Sequence, residues 1–348
     1  MQFALPPRKP SHSPPYGRSS HHSSSARRRQ LKAVAILGLV AITFFFLVSR
    51  IFSSGSASGE VVANGQTNIV IVTVLDEEKF GDKYIQRIKQ NREDYAQRHG
   101  YTNFFASTSE YLPYLNGAPQ SWAIVPAIRH ALTLYPQASH IFHLTPHALI
   151  MNPSLSLTSH ILDKNRLQSL MLKDVPVVPP DSVIKTFKHL APKDVEFIIT
   201  QDSENLVPSS FILRRSDWAQ YFLDAWFDPL YRSYNFAKAE AHALVSFRPI
   251  STKHPLLTPT PLLTYNSTYL QDHIIQWHPT MLTKLALLPQ RILNAYAPDS
   301  PSSGPNSHYK DGDFLIHFAG CDLPDAKQGC EKLMDAYWTR WAQVTNNV

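Results

Sequence analysis

The chain has 348 residues, 43% of them hydrophobic and 11% aromatic, enough for a sizeable core in one large or two ordinary domains. Its net charge of +6 points toward nucleic acid only until the charges are located, because Arg8, Lys9, Arg18, Arg27, Arg28, Arg29, Lys32 and Arg50 all precede the first acid, Glu60. The remainder sums to about −2, which argues against a nucleic-acid-binding body, and two cysteines are too few for a four-thiolate zinc site.

Residues 1–30 are rich in Ser, Pro, His and Arg and predict a disordered cytosolic tail. Residues 31–52, "LKAVAILGLVAITFFFLVSRIF", are almost purely apolar from Ala33 to Val48, and Phe52 extends the run to roughly 20 residues, enough to span a bilayer as a helix. Lys32 and Arg50 bracket it, and the unopposed positive charge upstream predicts a cytosolic N-terminus. A cleaved signal peptide is the competing reading, but the run starts late and lacks a clear small-x-small cleavage site. Its shortness suits the thinner membranes of the early secretory pathway.

A flexible stem at 53–66 and a body at 67–348 complete a single-pass type II protein with its body in a lumen. Two features agree with a lumen. Asn266-Ser267-Thr268 is an N-glycosylation acceptor, and Cys321 and Cys330 are spaced closely enough for a local disulfide, the alternative being two free thiols.

The body opens with "TNIVIVTVL", a β-branched run suited to a strand buried on both faces. "DKYIQRIKQNREDYAQRHG" is helical and stops at Gly100, "YTNFFAS" is a strand, "WAIVPAIRHALTLYP" is a helix ended by Pro136, and "SHIFHL" is the third strand. This β-α-β-α-β order predicts a parallel sheet with helices on its faces. Strands follow at "VEFIIT", "SSFILRR", "TKLALLP" and "DFLIHFAG". Helices follow at "SDWAQYFLDAWF" (capped by Ser216), "FAKAEAHALVSF" and "CEKLMDAYWTRWAQV". One α/β domain with a central, mostly parallel sheet is the economical reading, and the Pro-rich run at 248–263 is a long loop within it.

The blocks "DYAQRHGY", "ALIMNP", "SSFILRRSDWAQYFLDAWFDP", "LPQRILNAY" and "DFLIHFAGC", in this order, resemble glycosyltransferase family 34, the galactosyl/mannosyl/xylosyltransferases of fungi and plants. The nearest look is to the fungal α-1,6-mannosyltransferase subunits of the Golgi mannan polymerase complex. The resemblance covers essentially the whole luminal body. It implies a GT-A (Rossmann-like) fold, a nucleotide-sugar donor, retention of anomeric configuration, and a divalent metal, usually Mn2+, that offsets charge on the leaving diphosphate. For the mannosyltransferase branch the implied donor is GDP-mannose. The implied partners are the other subunits of the complex and a mannan acceptor, and the implied location is the Golgi membrane.

The resemblance also implies site positions. The family's Asp-x-Asp pair falls on Thr145-Pro146-His147, so both carboxylates are missing. His317 in "HFAGC" matches the family's metal histidine, although by residue type alone it reads as a core histidine at a strand end, and Gly320 follows in the same block. Val207 and Ser209 stand where the family has an Asn and a Gly beside the donor sugar. Glu240 is kept as the candidate catalytic acid of an "EQDAL"-like block, while Ala241 and His242 replace its amide and acid. Asp322 takes the place of a lysine that meets the pyrophosphate in plant relatives, and a carboxylate there repels a diphosphate. "TQDSE" at 200–204 holds two carboxylates and reads as a solvated loop. The expectation is therefore a mannosyltransferase with a weakened or unusual metal site. The alternative is a catalytically silent scaffold subunit of the same complex.

Overall fold

A computed structural model describes residues 68–177, 184–203, 205–233, 238–244, 279–298, 300, 306–323, 326 and 328–346. The predicted tail (1–30), anchor (31–52) and stem (53–66), Asn266 and the Pro-rich run at 248–263 lie outside them. The chain divides into two compact units, Met1–Asn64 and Gly65–Val348, and every described residue belongs to the second. Among the described residues no helix is long and apolar enough to cross a membrane.

The centre of the unit is β1 (Ile69–Leu75), whose seven residues are all buried. Its side chains alternate between two cores. Val70, Val72 and Val74 face one, and Ile69 and Ile71 face the other, the period of two expected of a strand covered on both sides. Helix α1 (Asp82–His99) follows, and Gly100 ends it in the left-handed region at φ 68°, donating its N–H to Ala96 O.

Next come β2 (Thr102–Ser107), α2 (Thr108–Leu115), α3 (Ile124–Leu134), β3 (His140–Leu144), β4 (Ala148–Ile150) and α4 (Lys164–Leu170). Strands β5 (Phe197–Gln201) and β6 (Leu206–Arg214) lead into α5 (Asp217–Trp226), whose N-terminus is capped by the Ser216 hydroxyl accepting from Ala219 N. The remainder is α6 (Pro229–Arg232), α7 (Ala239–Leu244), β7 (Leu285–Leu288), α8 (Gln290–Leu293), β8 (Ala295–Tyr296), β9 (Leu315–His317) and α9 (Cys330–Asn346).

Six strands form one sheet in the order β2-β1-β3-β6-β5-β7, and β4-β9-β8 form a second. The α/β class matches the sequence reading, but the main sheet is mixed. Strand β6 runs antiparallel to β3 and β5, while the β1–β2, β1–β3 and β5–β7 pairings are parallel. The reason lies in the connection. Asp202 and Asn205 close a tight turn, with Asn205 N donating to Asp202 Oδ1 at 2.7 Å, and so short a link joins neighbours only as a hairpin. The described part of "TQDSE", residues 200–203, is therefore the end of β5 and the start of a hairpin turn, not a free loop. Reversing β6 brings its beginning, Leu206–Ser209, to the edge where β1 and β3 end. In α/β sheets ligands settle in the crevice at that edge.

Candidate functional site

The turn that follows β3 is held at every carbonyl. Thr145 N donates to Ser209 O at 2.7 Å, which lays the turn against the start of β6. Arg92 reaches up from α1 and donates to Thr145 O at 2.9 Å and Ala148 O at 2.7 Å. Tyr84 Oη donates to Pro146 O at 3.1 Å, and His147 O accepts from Phe318 N at 2.8 Å. Asn91, also on α1, brackets Ile150 by donating to its O at 3.0 Å and accepting from its N at 2.9 Å.

Arg92 is fully buried, and burial lowers its pKa to about 9, so it stays charged near neutrality with the carbonyls as its acceptors. None of these braces was read from the sequence, although a signal was present. Asn91 and Arg92 interrupt the apolar stripe of Tyr84, Ile88 and Tyr95 on the buried face of α1, and polar groups survive there only when they have partners.

The turn forms one wall of a cavity of about 530 Å³. Thr145 and His147 line it from the turn, and Val207 and Ser209 line it from β6. Glu240, Ala241 and His242 enter from α7, and His317, Gly320 and Asp322 from β9 and the residues after it. The structure thus gathers into one place these ten positions aligned with the family's donor site. His317 reaches the wall because β9 pairs with β4, opposing it to Ala148, the residue after His147. Gly320 adopts φ 77°, a left-handed conformation that glycine takes without strain, so the turn after β9 needs a glycine. The next residue, Cys321, is joined to Cys330 at the start of α9, with Cα atoms 4.8 Å apart. Glu240 is positioned by its own backbone, whose O accepts from Trp226 Nε1 at 2.9 Å, tying α7 to α5.

The electrostatics are set mainly by burial. His147 is lowered to about 4 by burial, against the raising effect of Asp322, and His317 is lowered to about 3 by burial and by His147. Both imidazoles are therefore neutral near pH 7 and present lone pairs. Burial raises Glu240, against a smaller lowering influence of Ser121. Asp322 is raised by burial, but His147 and Lys79 outweigh this, and its pKa ends below the usual carboxylate range.

The structure adds residues that no sequence block had marked. Lys79 lies in the loop after β1, with Nζ 3.9 Å from Asp322 Oδ2, a pairing across 243 positions that no local pattern announces. Lys238 stands exposed at the mouth of α7 with φ 63°, unusual for a residue with a Cβ, and lines the same cavity. Asp202 lines it too and accepts from Tyr296 Oη at 2.9 Å.

Among the described residues, one group of three His, Cys, Asp or Glu side chains has convergent ligand atoms. It consists of His147, Cys321 and Cys330, within 4.8 Å of one another, and its two sulfurs are spent in the disulfide.

Comparison with known proteins places the chain in a family. The model of the galactosyl transferase GMA12/MNN10 family matches residues 65–267 and 262–328. A protein of Schizosaccharomyces pombe named as an uncharacterized alpha-1,2-galactosyltransferase is 34% identical over 242 residues, covering 68% of this chain and 56% of its own. The probable alpha-1,6-mannosyltransferase MNN11 of Saccharomyces cerevisiae is 31% identical over 274 residues, covering 74% of this chain and 59% of its own. The chain thus spans little more than half the length of these relatives. Among solved structures, a glycosyltransferase involved in glycosylation of the major capsid of PBCV-1 gives a TM-score of 0.43 at 12% identity, covering 78% of this chain and 99% of that one, too distant to add to the argument. On the family match and these relatives, the chain belongs to the galactosyl transferase GMA12/MNN10 family of glycosyltransferases.

Proposed function

We propose that the chain moves mannose, with retention, from GDP-mannose to the α-1,6-linked mannan backbone of N-glycans, as a type II membrane subunit of a Golgi mannosyltransferase complex with a GT-A fold. One observation carries this reading: the ten positions aligned with the family's donor site converge on a single cavity at the ends of β1 and β3. A relative named as an α-1,6-mannosyltransferase supports the mannosyl assignment, while a relative named as an α-1,2-galactosyltransferase makes UDP-galactose the donor to test against.

In this reading the chain's own groups divide the work. Lys79 and Lys238 set two positive charges on the cavity wall, where a diphosphate needs them, and Lys79 also offsets the carboxylate of Asp322. Ser209 and the backbone beside it face the donor sugar. Glu240, its pKa raised by burial, presents a carboxyl that can accept a hydrogen bond from a sugar hydroxyl.

The family's two metal-binding carboxylates in the strand-end turn are absent, since Thr145 and His147 stand in their places. The donors that face each other at that end are the His147 imidazole and the Asp322 carboxylate, 3.9 Å apart, a pair whose chemistry fits Mn2+. A bound divalent ion would supply charge neutralisation at the leaving diphosphate.

The test is turnover by the full-length chain in detergent, with GDP-mannose or UDP-galactose and an α-1,6-mannoside acceptor. Transfer from GDP-mannose is expected. Transfer from UDP-galactose alone would correct the donor. No transfer from either, by a protein that melts cooperatively, would give way to the silent-scaffold reading.

A further inference from the structure

The hydrogen bonds of Tyr84 fix which nitrogen of His147 carries hydrogen. A phenol has one proton, and Tyr84 gives it to Pro146 O, which can only accept, at 3.1 Å. The same phenol oxygen lies 3.1 Å from His147 Nδ1. With that proton given to Pro146 O, the phenol oxygen accepts from Nδ1–H, the tautomer a metal-bound His147 requires. Nε2 is then a bare lone pair, and it faces Asp322 Oδ2 at 3.9 Å.

Two electron-rich atoms facing each other across such a gap attract a cation between them. Two ligand atoms that share one metal ion stand about 3 to 4 Å apart, given bonds of about 2.1 Å. Both sides of the gap are held in place. Tyr84 is the kind of outer partner that orients a metal-bound imidazole, and the left-handed Gly320 and the Cys321–Cys330 bond fix the backbone immediately before Asp322. His317 Nδ1 is buried with no hydrogen-bond partner. The charged group already at the gap is Lys79, whose Nζ is also 3.9 Å from Asp322 Oδ2. It is half exposed on a long side chain and free to swing toward a phosphate.

We propose that this chain holds a divalent transition-metal ion between His147 Nε2 and Asp322 Oδ2, so that the carboxylate missing from the turn after β3 is supplied from the loop after β9. The proposal rests on the glycosyltransferase reading, because the donor's diphosphate oxygens are left to complete the coordination. One carboxylate with imidazole ligands favours Mn2+, Fe2+ or Zn2+ over Mg2+ and Ca2+, which seek oxygen.

The test uses the full-length chain in detergent micelles, titrated with Mn2+ alone and followed by the EPR signal of the free ion. One ion per chain is expected, with nitrogen coupling in the pulsed spectrum. His147→Ala and Asp322→Asn should each weaken binding by at least about tenfold, and Tyr84→Phe by about tenfold through loss of imidazole orientation. Mg2+ should compete at least about tenfold less well than Zn2+. Unchanged Mn2+ affinity in both His147→Ala and Asp322→Asn, or no saturable binding by wild-type protein with a native melting profile, overturns the proposal. Transfer assays on the same samples separate the two readings. Transfer by wild-type protein whose Mn2+ binding ignores both substitutions removes this site and leaves the enzyme standing. Mn2+ binding lost in both variants, without transfer from either nucleotide sugar, leaves the site and removes the enzyme.

Discussion

Arg92 shows how much of the site depends on a side chain that never reaches the cavity. It is fully buried, its guanidinium bridges Thr145 O and Ala148 O, and it also donates to Asn91 Oδ1 at 2.5 Å. Charged donors to backbone carbonyls are worth about 1.5–3 kcal/mol each, and two carbonyls lose a partner together in Arg92→Met. That substitution should cost about 3 kcal/mol in urea unfolding, and Arg92→Lys should recover only part of it, because a single ammonium lacks the planar fork. A loss below 0.5 kcal/mol, roughly the scatter of neutral surface changes, would show that the turn holds without the brace. The identity of the turn was legible in the sequence, since Thr145, Pro146 and His147 stand at a strand end. Its support was not, because Tyr84, Asn91 and Arg92 lie 53 to 62 positions away on a helix whose apolar stripe drew attention instead.

Among the elements, periodicity located β1, α1, β3 and α5, where one face is buried and the pattern is long. It failed for α2, whose internal Pro113 reads as a breaker, and for the direction of β6, which the short apolar run Phe211-Ile212-Leu213 leaves undetermined. The loop from β9 to α9 is the element on which the cavity's far wall depends, and its anchor is the Cys321–Cys330 bond. Closing so short a loop contributes about 2.5 kcal/mol in the chain-entropy account. The double variant Cys321→Ser, Cys330→Ser should lower the unfolding free energy by about that amount, read by urea denaturation. It should also speed hydrogen exchange at Leu323 N, whose acceptor, Gly320 O, belongs to the turn the bond secures. Unchanged exchange there would mean that packing alone holds the turn.

Across the whole molecule, the buried histidines link stability to pH. His143 is lowered to about 3 and His140 to about 4, in both cases chiefly by burial. A histidine depressed on folding contributes stability that is complete above its unfolded pKa, near 6.5, and that is lost as pH falls through the folded value. Each group contributes up to about 1.4 kcal/mol per pH unit within that window. Glu240, raised by burial, works in the opposite sense and loses its contribution as pH rises. The urea midpoint should therefore drop between pH 6.5 and 4, and His143→Leu should flatten the drop, whereas an identical profile in that variant would remove His143 from the account. The five sequence blocks likewise acquire a common purpose only at this scale, since the segments around 145, 207, 240 and 317 meet only after two sheets have formed. The Cys321–Cys330 bond has one more consequence, and it concerns sample history. Protein made in a reducing cytoplasm would keep its sheets yet release Asp322 from its fixed place, so thiol titration has to come before any preparation is counted as inactive.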